Sequence, residues 1–276
     1  MAIEDKKDHL VSLPRDIEIV VGRTPLVLKL CENKKVLHLG CVDEGITRER
    51  VEKGTLLHLQ LLEVAKEVHG VDISKGGLKF LEDVGVSRLY HGNLETLDEI
   101  SGLKGEVFDV ILAAEVLEHL NNPGLFLQSV KPFFGEETLM VVTTPNAYRF
   151  TGTGYRLKNM EFIHPDHVCW HSWSTLNALL SKNGYEVKEA KLYSVVDHRS
   201  PLFGRLKRKM KRGKPVGKKG KKDLRQIDER SASRKRSLKS RGKMLADIMI
   251  RRVLYRISPF FADGFIFIVK PVGKRV

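Results

Sequence analysis

The sequence predicts an α/β fold: a three-layer sandwich built on a mostly parallel sheet with an antiparallel last strand. Three observations predict it. Apolar runs of strand length alternate with helix-periodic stretches through most of the chain. One run, "VFDVILAAE" at 107–115, is apolar on both faces, as a central strand covered on both sides has to be. Near the end, 185–196 and 263–271 alternate like two paired strands.

The elements follow in order. "KKVLHLG" (34–40) reads as a short buried strand. Leu56, Leu59, Leu62, Val64, Ala65 and Val68 recur at three- and four-residue steps and predict a helix over the second part of 47–68. "HGVDIS" (69–74) is a second strand, and "KGGLKFLEDVG" (75–85) a short helix closed by Gly85. Residues 86–97 give a third strand and a polar turn, and 107–115 the fourth strand. A helix with Pro123 near its start fills 122–134, and "TLMVVTTPN" (138–146) is a buried strand. Residues 172–184 carry a serine cap, periodic leucines and a terminal Gly184. A helix over 244–258 is expected to lay Leu245, Ile248, Val253 and Ile257 on the sheet. This divides the chain into an N-terminal extension (1–33), one domain made of 34–198 with 244–276, and an insertion at 199–243.

At 276 residues and 42% apolar content, the chain can fill one large core. It contains no run of about 18 apolar residues, so no membrane-spanning helix is expected. The charged start lacks an apolar h-region, which argues against a secretory signal. Three cysteines without C-x-x-C spacing argue against a disulfide framework and fit a reducing cytoplasm. The net charge is +14, but 199–243 holds 20 Lys/Arg against 3 Asp/Glu. That segment alone is +17, which leaves the rest of the chain at −3.

In open α/β sheets ligands sit beyond the carboxyl ends of the strands. Three predicted strand ends carry suitable groups: the Gly40-Cys41 turn, Asp72 for the two hydroxyls of a ribose, and His91-Gly92-Asn93 with Leu94 for an adenine edge. A dinucleotide would need G-x-G-x-x-G with an acidic residue about 20 positions later. No such glycine triple exists, and no P-loop. The missing glycines cost least for a cofactor with no phosphate to cradle, such as S-adenosylmethionine.

The ordered series "VLHLGC", "GVDIS", "HGNLETL", "FDVILAAEVLEHLNNPGLFL", "LMVVTTPN" and "NGYEV" resembles the class I S-adenosylmethionine-dependent methyltransferases. It is most similar to the branch holding ubiquinone-biosynthesis O-methyltransferases and many glycan and natural-product methyltransferases. The resemblance covers roughly 34–196 and the final strand, and rests on order and spacing rather than on one motif. It implies a Rossmann-like methyltransferase sandwich and a methyl donor held by His38, Gly40, Cys41, Asp72, Asn93, Leu94 and Glu115. The family's first loop usually reads (D/E)-x-G-x-G-x-G; here His38, Val42 and Glu44 stand at the acidic, middle and third glycine positions. These departures leave open a loop that holds the donor differently and one that has lost it.

After the fourth strand, a helical turn at 115–119 would put Glu115, Glu118 and His119 on one face. A histidine suits removal of a hydroxyl proton. "HPDHVCWHSW" (164–173) adds His164, His167 and His171, with Trp170 and Trp173 to shape an acceptor pocket. His119 and His167 are the catalytic candidates. Small-RNA 2′-O-methyltransferases resemble the pattern more sharply, and on that likeness Glu115, Glu118, His119 and His167 would hold a divalent metal. The bland reading has Glu115 lining the cofactor pocket and His119 packing. Cys41 reads as a small residue near the cofactor, not a nucleophile.

The resemblance implies a cytoplasmic methyltransferase acting on oxygen of a glycan, lipid-linked or other small-molecule acceptor. The alternatives are a metal-assisted RNA 2′-O-methyltransferase and a non-catalytic nucleic-acid-binding module on the same fold. The basic segment 199–243 fits an anionic membrane surface, nucleic acid, or a solvated loop.

Overall fold

The structure, a computed structural model, describes residues 10–43, 45–199 and 242–273. Eight strands form one sheet: β1 (Ile19–Val21), β2 (Lys35–Leu39), β3 (Glu67–Asp72), β4 (Leu89–His91), β5 (Phe108–Ala114), β6 (Phe134–Pro145), β7 (Tyr185–Ser194) and β8 (Gly264–Pro271). Their order is β1-β7-β8-β6-β5-β2-β3-β4. β8 runs antiparallel between β6 and β7, and every other pair is parallel. The chain runs outward from β2 to β3 and β4 on one side and from β5 to β6 on the other. The point of reversal is therefore between β2 and β5, where a Rossmann-like sheet opens a crevice at its carboxyl edge.

Alternation along each strand fills two helical layers. On one face Leu37, Leu39, Ile111, Ala113, Met140, Val142, Phe265 and Phe267 meet Phe126 and Leu127 of α5 (Pro123–Ser129) and Leu176 and Leu180 of α7 (Trp173–Lys182). On the other, Val36, Val68, Val110, Leu112, Val141, Ile266 and Ile268 meet Val27 and Cys31 of α1 (Thr24–Cys31) and Leu61 of α3 (Leu57–Val64). Burying one such side chain fully contributes about 1.5–3 kcal/mol. Residues 17–33, set apart by sequence as an extension, supply the edge strand β1, whose register on β7 pairs Ile19 with Leu192, and the helix α1.

Two expectations about helices are corrected. The periodic stretch from Thr55 does not run to Val68. α2 (Thr47–Glu52) stops before Gly54, whose φ of +62° breaks the helix, α3 ends at Val64, and Val68 belongs to β3. α4 (Lys75–Asp83) keeps to its expected place, capped by the Ser74 side chain on the Gly77 amide. α6 (Thr153–Arg156) is a single turn. Residues 242–257 form α8, but only Ile248 of the expected core set is buried. Val253 and Ile257 point to solvent, 58% and 72% exposed. No helix among the described residues is long and apolar enough to cross a membrane.

Candidate functional site

The ends of β2, β3, β4, β5 and β6 line up at one edge, because Leu39 pairs with Val71 and Ala113, Asp72 with His91, and Ala114 with Thr143. Gly40 turns the chain there with φ +70°. A Cβ on it would lie 2.8 Å from Val116 Cγ2, so the turn after β2 and the turn after β5 touch. The next residues bind the end of β3. The amides of Gly40 and Cys41 donate to Val71 O, and that of Val42 donates to Asp72 Oδ2 at 2.9 Å. Asp72 Oδ1 accepts from the Ser74 amide at 2.9 Å. Glu44 lies outside the described residues.

Asp72, 7% exposed, anchors the Gly40 loop to the end of β3. Asn93 is exposed and its Oδ1 caps a short turn by accepting from the Glu95 amide; Leu94 beside it is buried. His38 is turned into the layer under α3. There it stacks on His58 with Nδ1 atoms 3.1 Å apart, and burial drives its pKa well down. Cys41 is buried against Gly70, which pushes its thiol pKa up and keeps it protonated. Its contacts with the crevice come through the backbone.

The single helical face expected for Glu115, Glu118 and His119 does not form. Glu115 takes a left-handed φ of +58°, and only Leu117–His119 make a 3₁₀ turn. The three side chains therefore diverge. Glu115 accepts from Thr143 Oγ1 at 2.9 Å and from Tyr193 Oη at 3.2 Å, with Arg23 Nε at 3.8 Å. Glu118 is 2% exposed, accepts from Thr144 Oγ1 at 3.0 Å, and its other oxygen has no partner among the described residues. Burial first, and the Glu115 charge second, push its pKa up to about 8, so it stands as a neutral acid at pH 7.

His119 points outward and meets the segment after β6. Its ring lies 4.6 Å from that of His167 and 5.6 Å from that of His164. The amides of Val168 and Cys169 donate to Glu118 O and hold that segment in place. One ring nitrogen from each of the three histidines falls within 4.8 Å of the others. The proposed quartet of Glu115, Glu118, His119 and His167 is therefore not brought together as such: His164 joins the two histidines where the carboxylates do not. Burial lowers the pKa of His119, and burial with its two histidine neighbours and Arg149 holds His167 down to about 4. Trp170 joins this group under the Arg149 guanidinium, 4.4 Å from the ring. Trp173 instead packs on Phe260, Phe265 and Phe267 within the core, and His171 is buried on the Asn146 bridge.

Arg23, Thr143, Tyr193, His164 and Arg149 complete the site. Arg23 and Tyr193 gave no local sequence signal, since their roles depend on β1 lying beside β7. His164 was visible in the histidine cluster.

A family model described as a methyltransferase domain matches residues 22–190. The chain belongs to this methyltransferase family. Ubiquinone biosynthesis O-methyltransferase of Bartonella quintana is 27% identical over 186 residues, 65% of this chain and 71% of that protein. The enzyme of the same name from Azorhizobium caulinodans is 29% identical over 181 residues, 61% and 65% of the two chains. A crystal structure of an S-adenosylmethionine-dependent methyltransferase from Archaeoglobus fulgidus superposes with a TM-score of 0.48 at 15% identity, over 90% of this chain and 95% of that one. The protein is an S-adenosylmethionine-dependent methyltransferase, and its fold is the Rossmann-like one the sequence pointed to. Along the carboxyl edge of its sheet the methyltransferase has the close Gly40 turn, the buried Asp72 carboxylate, and a Gly92 whose added Cβ would lie 2.3 Å from Ile100 Cδ1.

Proposed function

We propose that this methyltransferase acts on a hydroxyl of a glycan, lipid-linked or other small-molecule acceptor. The observation that carries the reading is the pair His119 and His167 at the mouth of the crevice, both held neutral. A neutral imidazole can take a proton. The name carried by the ubiquinone-biosynthesis relatives, O-methyltransferase, supports oxygen as the acceptor atom. S-adenosylmethionine, when bound, supplies a methyl group on a sulfonium sulfur. Asp72 would hold the ribose diol, Asn93 and Leu94 the adenine edge, and the Cys41 backbone the turn beneath it. Glu115, fixed by Arg23, Tyr193 and Thr143, would face the methionine end, while His38, buried on His58, would support the β2 strand from below. His119 would take the proton of the acceptor hydroxyl, with His167 orienting its ring. Neutral Glu118 would keep a second negative charge out of the mouth.

The test is calorimetric titration followed by kinetics. Absence of binding at high micromolar S-adenosylmethionine sinks the reading. Asp72→Asn should weaken binding about 10–100-fold, since a hydrogen bond to a charged group contributes about 1.5–3 kcal/mol. His119→Ala should lower kcat by about 10²–10⁴-fold, the span of general-base catalysis, and leave donor affinity unchanged.

The convergence of three imidazole nitrogens favours a second reading, in which a divalent metal orients the acceptor hydroxyl. An all-imidazole set suits zinc-type ions better than magnesium. Activity lost to EDTA, restored by a metal, and insensitive to metal in His164→Ala would support it. Unchanged activity after chelation would remove it.

A further inference from the structure

We infer that the outward face of α8 docks the protein on an anionic lipid surface. The helix is fixed on its inner side and apolar on its outer side. Inward, Ile248 and Arg251 are each 2% exposed. Arg251 donates to Asp263 Oδ2 at 2.7 Å, to Thr151 Oγ1 at 2.9 Å and to Tyr255 Oη at 2.8 Å. Tyr255 in turn donates to Ser194 Oγ, and Arg252 Nε to His198 O. These bonds fix which side of the helix faces out.

That outer side carries Ala246, Met249, Ile250, Val253 and Ile257, spaced i, i+3, i+4, i+7 and i+11. At about 100° per residue they form one stripe. Met249, Ile250, Val253 and Ile257 are 57%, 43%, 58% and 72% exposed. Exposed Lys243 and Arg256 border the stripe. An apolar stripe edged by basic residues, lying flat on the body of a protein, is the form of an interfacial helix.

The charge next to it selects the surface. Residues 199–243 carry 20 Lys/Arg against 3 Asp/Glu and run directly into α8. Each basic residue close to an anionic leaflet adds roughly fivefold to partitioning. Nucleic acid would use the charge but has no use for the stripe, which carries no aromatic ring for stacking. A second copy of this chain would use the stripe but would bring two +17 segments together. An anionic bilayer takes both.

The test is flotation of the full-length protein with vesicles of phosphatidylcholine, alone or with about a third phosphatidylglycerol. Binding is expected on the anionic vesicles only. The double variant Ile250→Glu, Val253→Glu should bind at least ~10-fold more weakly while melting at the wild-type temperature. Val253→Trp should gain fluorescence quenching by brominated lipid, a readout that needs no loss of binding. Absence of wild-type flotation overturns the inference. So does equal flotation on neutral vesicles, or equal flotation of the double variant. A dimer in sedimentation that the double variant dissolves, without flotation, would assign the stripe to a second copy. RNA retention unaffected by the variant, again without flotation, would assign the charge to nucleic acid. No methyl acceptor enters these measurements, so their failure leaves the proposed methyl transfer standing.

Discussion

Replacing Gly40 by alanine tests the floor of the crevice. Two separate costs act at that position. The backbone φ of +70° is one that an L-residue adopts at about 1–2 kcal/mol. The new Cβ would also sit 2.8 Å from Val116 Cγ2, inside contact distance. Val116 is itself buried among the residues after β5 and cannot swing away freely. Overpacking of this kind costs about 1–3 kcal/mol. Gly40→Ala should therefore destabilise by roughly 2–5 kcal/mol, the sum of the two costs. Val116→Ala removes the colliding methyl and leaves the φ cost in place. In a double-mutant cycle the two changes should couple favourably by about 1–2 kcal/mol. Urea unfolding of the four proteins measures this directly, and donor titration reports whether the turn has moved. Additivity within about 0.5 kcal/mol would refute the claim that the β2 and β5 turns are held together through this contact.

Glu118→Gln should change how stability depends on pH. The native carboxyl titrates near pH 8, above its unfolded value of about 4.3, so the native state holds the extra proton between these values. Its stabilising contribution is full below the unfolded pKa and is lost as pH rises through 8. The glutamine variant should therefore gain on wild type by up to about 1.4 kcal/mol per pH unit across that window. Parallel stability profiles in urea at acid, neutral and mildly alkaline pH would reject the burial account. Arg251→Met leaves the Asp263 carboxylate, 5% exposed, with hydrogen bonds from Thr151 and the Val195 amide but without its countercharge. The loss of a buried partner should cost about 3–5 kcal/mol, roughly a 10 °C fall in Tm, with partial recovery in Arg251→Met, Asp263→Asn. An unchanged Tm would show that the pair is not needed.

The parts of the fold legible in sequence were those set by one segment's own pattern. The strand at 107–115 is apolar on both faces and lies at the centre of the sheet as β5. Gly40 and Asp72 end strands, and parallel strands place their ends side by side, so both met at one edge without any three-dimensional knowledge. What the pattern did not reveal depends on partners distant in sequence. β1 is three residues long and exists because Leu192, Tyr193 and Ser194 lie beside it. Glu115 reads as helical from its spacing, yet its left-handed φ sends the carboxylate toward Arg23 and Tyr193. The sequence pattern put Leu245, Ile248, Val253 and Ile257 of α8 on the sheet, yet its apolar residues alone do not fix which side of the helix faces in, and only Ile248 is buried. A buried ion pair, Arg251 with Asp263, decides it.

The bond from Arg252 to the His198 carbonyl has a consequence for the chain as a polymer. It fastens the turn after β7 to α8, which begins at residue 242. Ten residues of helix separate Arg252 from that point, a rise of about 15 Å. Loop-closure free energy grows with the logarithm of length, by about 0.6 kcal/mol per doubling. Lengthening the connection between these two fixed points should therefore cost the body of the enzyme little.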